Sequence, residues 1–296
     1  MLRHVLQKLQ YWLEAAAFFT FIGIFRALGL NGASDFGGWL ASTLGPLTPL
    51  HKRARRRMQR VLDNSDEQAN RILLGMWENL GRTIGEMPHL GKFRPFEPGG
   101  HIEFDDYEIA DAIKSRDSGA IWVSGHFANW ELMPALMTKY GLNGGVVYRP
   151  PNNPYVDNYL VNLRRKYAAP IQIPKGPKGV RDIISHLKNK GHLAMLVDQR
   201  MSDGIEVPFF GIPTMTPAAP AQLALRHNLP IIVVSFERTG GPNFRARLYD
   251  PIEPVSTGDR DGDMKKIMTR VNLILERCIR ARPHEWLWLH RRWPND

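Results

Sequence analysis

The strongest constraint on the fold is a regular alternation of short apolar runs with amphipathic segments, which begins near Gly119. Apolar runs of four to six residues bounded by turn residues are typical of buried strands, and apolar spacing of three to four residues indicates helices. Strands are expected at 121–124, 145–148, 170–173, 193–197 and 231–236, and helices at 132–140, 155–167, 179–190 and 217–227. The alternation predicts an α/β fold, with a mostly parallel central sheet flanked by helices.

The first part of the chain has a different character. Residues 1–98 show helical patterns and end at a stretch rich in proline and glycine, from Pro95 to Gly100. The sequence therefore predicts two regions. Residues 1–98 form a helical region with a membrane anchor, and residues 99–296 form the α/β domain.

An apolar stretch at residues 11–25 is interrupted by Glu14 and Thr20. About 15 helical residues span only ~22 Å, against a hydrocarbon core of about 30 Å, and a carboxylate at the midplane is costly. We expect an anchor that lies in the membrane interface. A single membrane span and a cleaved signal peptide are the alternatives.

The chain carries a net charge of +10, from 39 Lys and Arg against 29 Asp and Glu, which favours an acidic partner. Five of these cations lie within residues 51–57, where they predict attraction to anionic lipid headgroups or, less specifically, a solvated helix face. No nucleic-acid-binding signature accompanies the run, so nucleic acid is not an expected partner. No convincing metal cluster and no G-x-S-x-G elbow occur, and Cys278 falls on the apolar face of a helix pattern, which disfavours a covalent intermediate on the enzyme.

His126 and Glu131 form the most informative pair of polar residues. His126 comes directly after the predicted strand 121–124, at the carboxyl end where α/β sheets bind ligands. If Glu131 lies in the first turn of the next helix, its carboxylate can orient one imidazole nitrogen and leave the other for a substrate hydroxyl. A core histidine with a capping glutamate is the alternative interpretation.

The His-x4-Glu pattern is followed by Val146 to Pro150, Asn153-Pro154, Arg164, Val197 to Gln199 and Trp288 to Trp293. In this order the motifs resemble those of the bacterial lipid A biosynthesis acyltransferases and, more distantly, the glycerol-phosphate acyltransferases. The resemblance implies transfer of a fatty acyl chain from acyl carrier protein to a hydroxyl of a phosphorylated glucosamine-based lipid A precursor. It also implies a location at the cytoplasmic face of the bacterial inner membrane, and no cofactor.

The same resemblance implies roles for six residues. His126 is the general base and Glu131 orients it, while the expected substrate contacts are Arg149, Arg164, Asp198 and Arg292. Transfer to a mannoside or another lipid acceptor remains open, and so do a thioesterase and a basic membrane-binding protein without enzymatic activity.

Overall fold

A computed structural model describes residues 2–294 of the chain, with side chains from Val5 onward. The described helices are α1 Leu2–Leu44, α2 Pro49–Gln59, α3 Asp66–Glu86, α4 Tyr107–Lys114, α5 Leu132–Lys139, α6 Pro154–Tyr167, α7 Pro177–Lys188, α8 Ala219–His227 and α9 Arg260–Ala281. The strands are β1 Ile102–Phe104, β2 Ile121–Ser124, β3 Gly144–Tyr148, β4 Ile171–Pro174, β5 His192–Leu196, β6 Ile205–Phe209, β7 Ile212–Thr216, β8 Ile231–Gly240 and β9 Asn243–Leu248. Short 3₁₀ helices occupy Gly45–Leu47, Met87–Lys92 and Pro283–Glu285.

The central sheet has seven strands in the order β1-β9-β8-β2-β5-β3-β4. All neighbouring pairs are parallel except β8 with β9. The predicted α/β class is confirmed, and the nine segments expected after Gly119 are all present. The sequence patterns missed β1 and β9 at one edge of the sheet and the separate hairpin of β6 with β7.

Alternate residues of the central strands pack on opposite faces of the sheet. Ile121 and Val123 belong to a core cluster that includes residues of α2, α3 and α9, whereas Trp122 belongs to a second cluster with residues of α4 and α5. Both faces are therefore covered by helices, as expected for a parallel sheet. The first cluster also contains Met58 and Leu73, so the core is continuous across residue 98, and the division there stays a prediction.

The N-terminal helix α1 is much longer than the predicted apolar segment. It is interrupted at Gly29, whose φ of 68° lies in the left-handed region that favours glycine. The stretch Val5–Leu47 is long and apolar enough to cross a membrane by length and composition. Only 22% of its apolar window is buried in the protein, whereas the core helix of a soluble protein is mostly buried.

Helix α1 is attached to the rest of the molecule along both of its halves. Its second half packs closely on α3, where a Cβ atom at Gly81 would overlap the backbone oxygen of Gly37. Its first half lies along α6, because Asn153 donates to the carbonyl oxygen of Tyr11 at 2.8 Å. Helix α1 is therefore fixed against both α3 and α6.

His192, in β5, is a buried histidine whose pKa is shifted by its surroundings. Its Nδ1 accepts a hydrogen bond from the Trp122 indole at 3.1 Å, and burial, with a smaller contribution from His186, lowers the pKa of His192 to about 4. Unfolding restores a pKa near the reference value of about 6.5. The unfolded state therefore binds more protons between these pH values, and the free energy of unfolding falls as the pH drops from 6.5 to 4.

We predict that His192→Asn flattens this pH dependence. Asparagine keeps an acceptor for Trp122 but does not titrate, so the slope between pH 6 and 4.5 should decrease by up to about 1.4 kcal/mol per pH unit. Urea unfolding in detergent, followed by fluorescence at several pH values, measures both slopes. Equal slopes for the two proteins would show that His192 titrates alike in the folded and unfolded states.

Candidate active site

His126 lies in the loop that follows β2, and the loop brings it directly onto the end of β5. Ser124 and Leu196 are partners in the parallel register of β2 and β5. Two residues further along each strand lie His126 and Asp198, so the carboxyl ends of neighbouring strands place them together. A Cβ atom at Gly125 would approach Asp198 Oδ2 to 3.1 Å and the Phe127 ring to 2.6 Å, which explains the glycine at this position.

The carboxylate that orients His126 is that of Asp198. Asp198 Oδ1 accepts from His126 Nδ1 at 2.7 Å, and Oδ2 accepts from the His126 backbone N–H at 2.7 Å. The indole of Trp286 donates a further hydrogen bond to Oδ2 at 2.8 Å. Charge-assisted hydrogen bonds of this length are the strong ones, so the imidazole is held at one nitrogen in a fixed orientation.

Asp198 is wholly buried, with no exposed surface. Burial alone raises the pKa of a carboxyl group, but attraction to His126 and the hydrogen bonds from it lower the pKa of Asp198 well below its usual range. Asp198 is therefore a carboxylate at neutral pH. Its burial contradicts the prediction that Asp198 contacts substrate, because the side chain has no exposed surface and does not line the cavity described below.

Glu131 has a different partner from the predicted one. Its carboxylate accepts from Arg164 Nε at 2.7 Å and from the terminal Nη2 at 2.6 Å, in a bidentate pair. The attraction to Glu131 outweighs the effect of burial and raises the pKa of Arg164. The orienting role predicted for Glu131 was therefore wrong: Glu131 occupies the N-cap position of α5 and holds Arg164, while Asp198 holds the imidazole.

A cavity of ≈ 230 Å³ opens beside these residues. Its wall combines aliphatic and aromatic side chains with charged ones. The lining residues used below are His126, Glu131, Arg149, Arg164, Lys175 and Gln199. Three of the predicted site residues, His126, Glu131 and Arg164, are thus brought together, and Arg149 lies on the same cavity.

Arg149 and Lys175 lie side by side at the edge of this cavity. They follow directly after Tyr148 and Pro174, which are register partners in the parallel pair of β3 and β4. Both side chains are exposed, and neither makes an ion pair in the part of the chain that the structure describes. Two adjacent cations therefore face solvent beside His126.

The second ring nitrogen of His126 lies next to an amide and a second histidine. Gln199 Nε2 is 3.3 Å from His126 Nε2 and 3.1 Å from His290 Nε2. The rings of His126 and His290 meet edge to face, with centroids 4.5 Å apart. Burial, with a smaller contribution from His126, lowers the pKa of His290 to about 4, so His290 is neutral at pH 7.

Arg292 does not contribute to the cavity. The side chain has no exposed surface and donates to Met215 O at 3.0 Å and Thr216 Oγ1 at 2.9 Å, beneath the β6–β7 hairpin. Its guanidinium also stacks 4.5 Å from the centre of the Phe209 ring. Burial lowers the pKa of Arg292 to about 10. The prediction that Arg292 binds substrate is therefore wrong, because the guanidinium is buried under the hairpin and does not line the cavity.

The turn between His126 and Glu131 is conformationally strained. Ala128 has a φ of 42°, which costs a non-glycine residue about 1–2 kcal/mol. Its carbonyl oxygen accepts from Asn79 Nδ2 at 3.1 Å and from Thr83 Oγ1 at 2.8 Å, and its N–H donates to Glu285 O at 3.1 Å. The three hydrogen bonds hold a conformation that the alanine would not keep by itself.

Within residues 2–294, no group of three or more His, Cys, Asp and Glu side chains is arranged to hold a metal ion. Reasoning from the sequence assigned no role to Gln199, and it indicated Lys175 only as one of two lysines at the start of a helix that could hold a lipid phosphate. It did not identify Asp198 as the partner of His126. The signal for Asp198 was its place after the strand 193–197, but using it requires the knowledge that this strand is the neighbour of β2.

Comparison with known proteins gives two further findings. Residues 3–295 match the family described as bacterial lipid A biosynthesis acyltransferase, while no curated protein matches the chain. Among solved structures, the chain is similar to the 1-acyl-sn-glycerophosphate acyltransferase PlsC from Thermotoga maritima, with 14% identity and a TM-score of 0.40, over 87% of this chain and 98% of that one. Since the family match spans nearly the whole sequence, the chain belongs to the bacterial lipid A biosynthesis acyltransferases and is an O-acyltransferase.

Proposed function

We propose that this enzyme transfers a fatty acyl chain from an acyl carrier protein thioester to a hydroxyl of a phosphorylated, glucosamine-based lipid A precursor. The family supports the reaction class, and one observation carries the assignment of the site. His126 is held through Nδ1 by a buried carboxylate, which leaves Nε2 on the side of the cavity, beside Gln199. An imidazole in this state is arranged to accept a proton at Nε2.

In the proposed mechanism, the acceptor hydroxyl takes the place of the Gln199 amide at Nε2. As its oxygen attacks the thioester carbonyl, the proton passes to Nε2, and the nearby Asp198 carboxylate stabilises the imidazolium. The tetrahedral intermediate then collapses, the C–S bond breaks, and the imidazolium returns the proton to the departing thiolate. An ester and a free carrier thiol are formed, and the enzyme returns to its starting state.

We assign binding of the acceptor phosphate to Arg149 and Lys175. Among the described residues, no carboxylate forms an ion pair with either side chain, whereas Arg164 is paired with Glu131. Two cations at adjacent register positions suit the several oxygen atoms of one phosphate group. Arg164 still has N–H groups that are not used by Glu131, so it remains a proposed substrate contact at the inner wall of the cavity.

The proposed place of the reaction is the cytoplasmic face of the bacterial inner membrane. The exposed apolar surface of α1 supports attachment to the bilayer. Within the basic run, Lys52, Arg53 and Arg56 are exposed and add attraction to anionic lipid headgroups. Arg57 is buried and donates to Leu289 O at 2.8 Å, so it supports the active-site segment instead of the membrane contact.

The reaction is tested by incubating purified enzyme with acyl carrier protein thioester, with and without a phosphorylated lipid A precursor. We expect the thioester to be consumed chiefly when the acceptor is present, with one acyl mass added to the lipid by mass spectrometry. A mannoside acceptor and a coenzyme A thioester are run beside these substrates. Equal consumption without acceptor would identify a thioesterase and end the proposal, and preferential acylation of the mannoside would reassign the acceptor.

Replacing either member of the His126–Asp198 pair should abolish most turnover. We predict that His126→Ala lowers kcat by about 10² to 10⁴, the usual contribution of general base catalysis. Asp198→Asn should act in the same direction, because a neutral amide no longer stabilises the imidazolium. His101→Ala is the matched control, since His101 lies before β1, far along the sheet order from β5, and does not line the cavity. Wild-type turnover by His126→Ala would remove His126 from the mechanism.

Arg149 and Lys175 should contribute to acceptor binding and little to the chemical step. We predict that Arg149→Ala and Lys175→Ala each raise KM for the phosphorylated acceptor about tenfold or more, since a hydrogen bond to a charged group is worth about 1.5–3 kcal/mol. Lys178→Ala is the control, because Lys178 is an exposed lysine that does not line the cavity. A dephosphorylated acceptor should show the same KM with the wild-type enzyme and with all three variants. An equal rise in its KM would mean that the two cations do not recognise phosphate.

A further inference from the structure

Besides Asn79 and Thr83, the side chain of Asn129 also supports the turn between His126 and Glu131. It has no exposed surface. Its Oδ1 accepts from the backbone N–H of Glu131 at 3.2 Å, and its Nδ2 donates to Glu86 Oε2 at 2.9 Å. The amide therefore connects the start of α5 to the last residue of α3.

Glu86 is a fully buried carboxylate whose acceptor positions are occupied. Besides Asn129, it accepts from Ser34 Oγ of α1 at 2.7 Å and from two guanidinium nitrogens of Arg238, at 2.5 and 3.3 Å. A carboxylate has about four lone-pair sites, so these four bonds fix its orientation. Glu86 thereby joins α1, β8 and the turn after β2.

Arg238 connects the carboxylate of Glu86 to Asn79, which also supports the turn. Its Nε donates to Asn79 Oδ1 at 2.9 Å, and Asn79 in turn donates to the carbonyl oxygen of Ala128. The ion pair of Glu86 with Arg238 therefore controls the turn at two points. It acts directly on Asn129, and it acts through Asn79 on the strained Ala128.

We propose that Glu86 is a positioning residue for catalysis, which sets the placement of His126 through Asn129 and Ala128. This inference rests on the catalytic role proposed for His126. Glu86, Asn129 and Arg238 are not among the residues that line the cavity, so they do not touch substrate. Their effect is on geometry: a displacement of about 1 Å in a reacting group can cost about 100-fold in rate.

Two variants test the proposal by different physical routes. Glu86→Gln places an amide N–H against the guanidinium of Arg238, whichever way the amide is turned, so the carboxylate geometry is lost. Asn129→Ala keeps the ion pair and removes only the link to the turn, so it carries the test if Glu86→Gln does not fold. We expect each variant to lower kcat by about 10- to 100-fold with KM for both substrates close to the wild-type values.

The control is Ser34→Ala, which removes another hydrogen bond from the same carboxylate but leaves the bonds to Asn129 and Arg238 in place. It should lower the unfolding midpoint in detergent while kcat stays near the wild-type value. The double variant Glu86→Gln/Asn129→Ala should lose no more turnover than Glu86→Gln alone, because Glu86→Gln already disturbs both the contact to Asn129 and, through Arg238 and Asn79, the support of Ala128.

The outcomes separate this inference from the proposed function. Wild-type kcat in Asn129→Ala and in folded Glu86→Gln, together with an inactive His126→Ala, would overturn the positioning role and leave the proposed function standing. An active His126→Ala would overturn the proposed function itself. If the loss of kcat in all variants, including Ser34→Ala, simply followed the loss of stability, Glu86 would be a structural residue and the inference would fail.

Discussion

The site depends on one buried negative charge, the carboxylate of Asp198. A carboxylate without exposed surface is costly unless hydrogen bonds and an opposite charge compensate for the lost water. Here the backbone and ring of His126 and the indole of Trp286 supply three donors. The donors come from the loop after β2 and from the C-terminal segment, and Asp198 itself follows β5. The buried charge is therefore compensated only when these three parts of the chain are in place. The catalytic geometry and the fold are therefore satisfied together.

Two further buried carboxylates near the turn are also held by charge-assisted hydrogen bonds. Glu86 is matched by Arg238, and Glu131 by Arg164, each through two guanidinium nitrogens. Such pairs add little net stability compared with apolar packing, but they restrict orientation, because each bond has a narrow angular range. The strained turn at Ala128 is kept by this polar framework. The two ends of the turn carry His126 and Glu131, which explains why both side chains reach the cavity without contacting each other through a hydrogen bond.

The cations differ in burial and in their partners within the protein. Three arginines donate hydrogen bonds within the protein: Arg57 and Arg292 to backbone carbonyl oxygens, and Arg238 to the Glu86 carboxylate. Arg149 and Lys175, which form no ion pair among the described residues, lie at the cavity edge, and Lys52, Arg53 and Arg56 in the basic run are exposed. The net charge of +10 does not show where positive charge is accessible to an acidic partner, because arginines such as Arg57 and Arg292 are buried. For the phosphorylated acceptor proposed above, the relevant cations are the exposed ones that are not paired with a carboxylate.

Local pattern determined a large part of this protein. The apolar periodicity after Gly119 determined the strands, the helices and the parallel sheet, because the spacing of apolar residues indicates which face of a strand or helix is buried. The place of His126 at the end of a strand followed for the same reason. Tertiary structure alone decided the partners: Asp198 lies 72 positions from His126, and Arg164 lies 33 positions from Glu131. Those contacts depend on which strands become neighbours, and strand order is set by long-range packing that no local pattern records. Tertiary structure also decided the burial of Arg292, because nothing in the local sequence distinguishes an arginine that binds phosphate from one that lies beneath a hairpin.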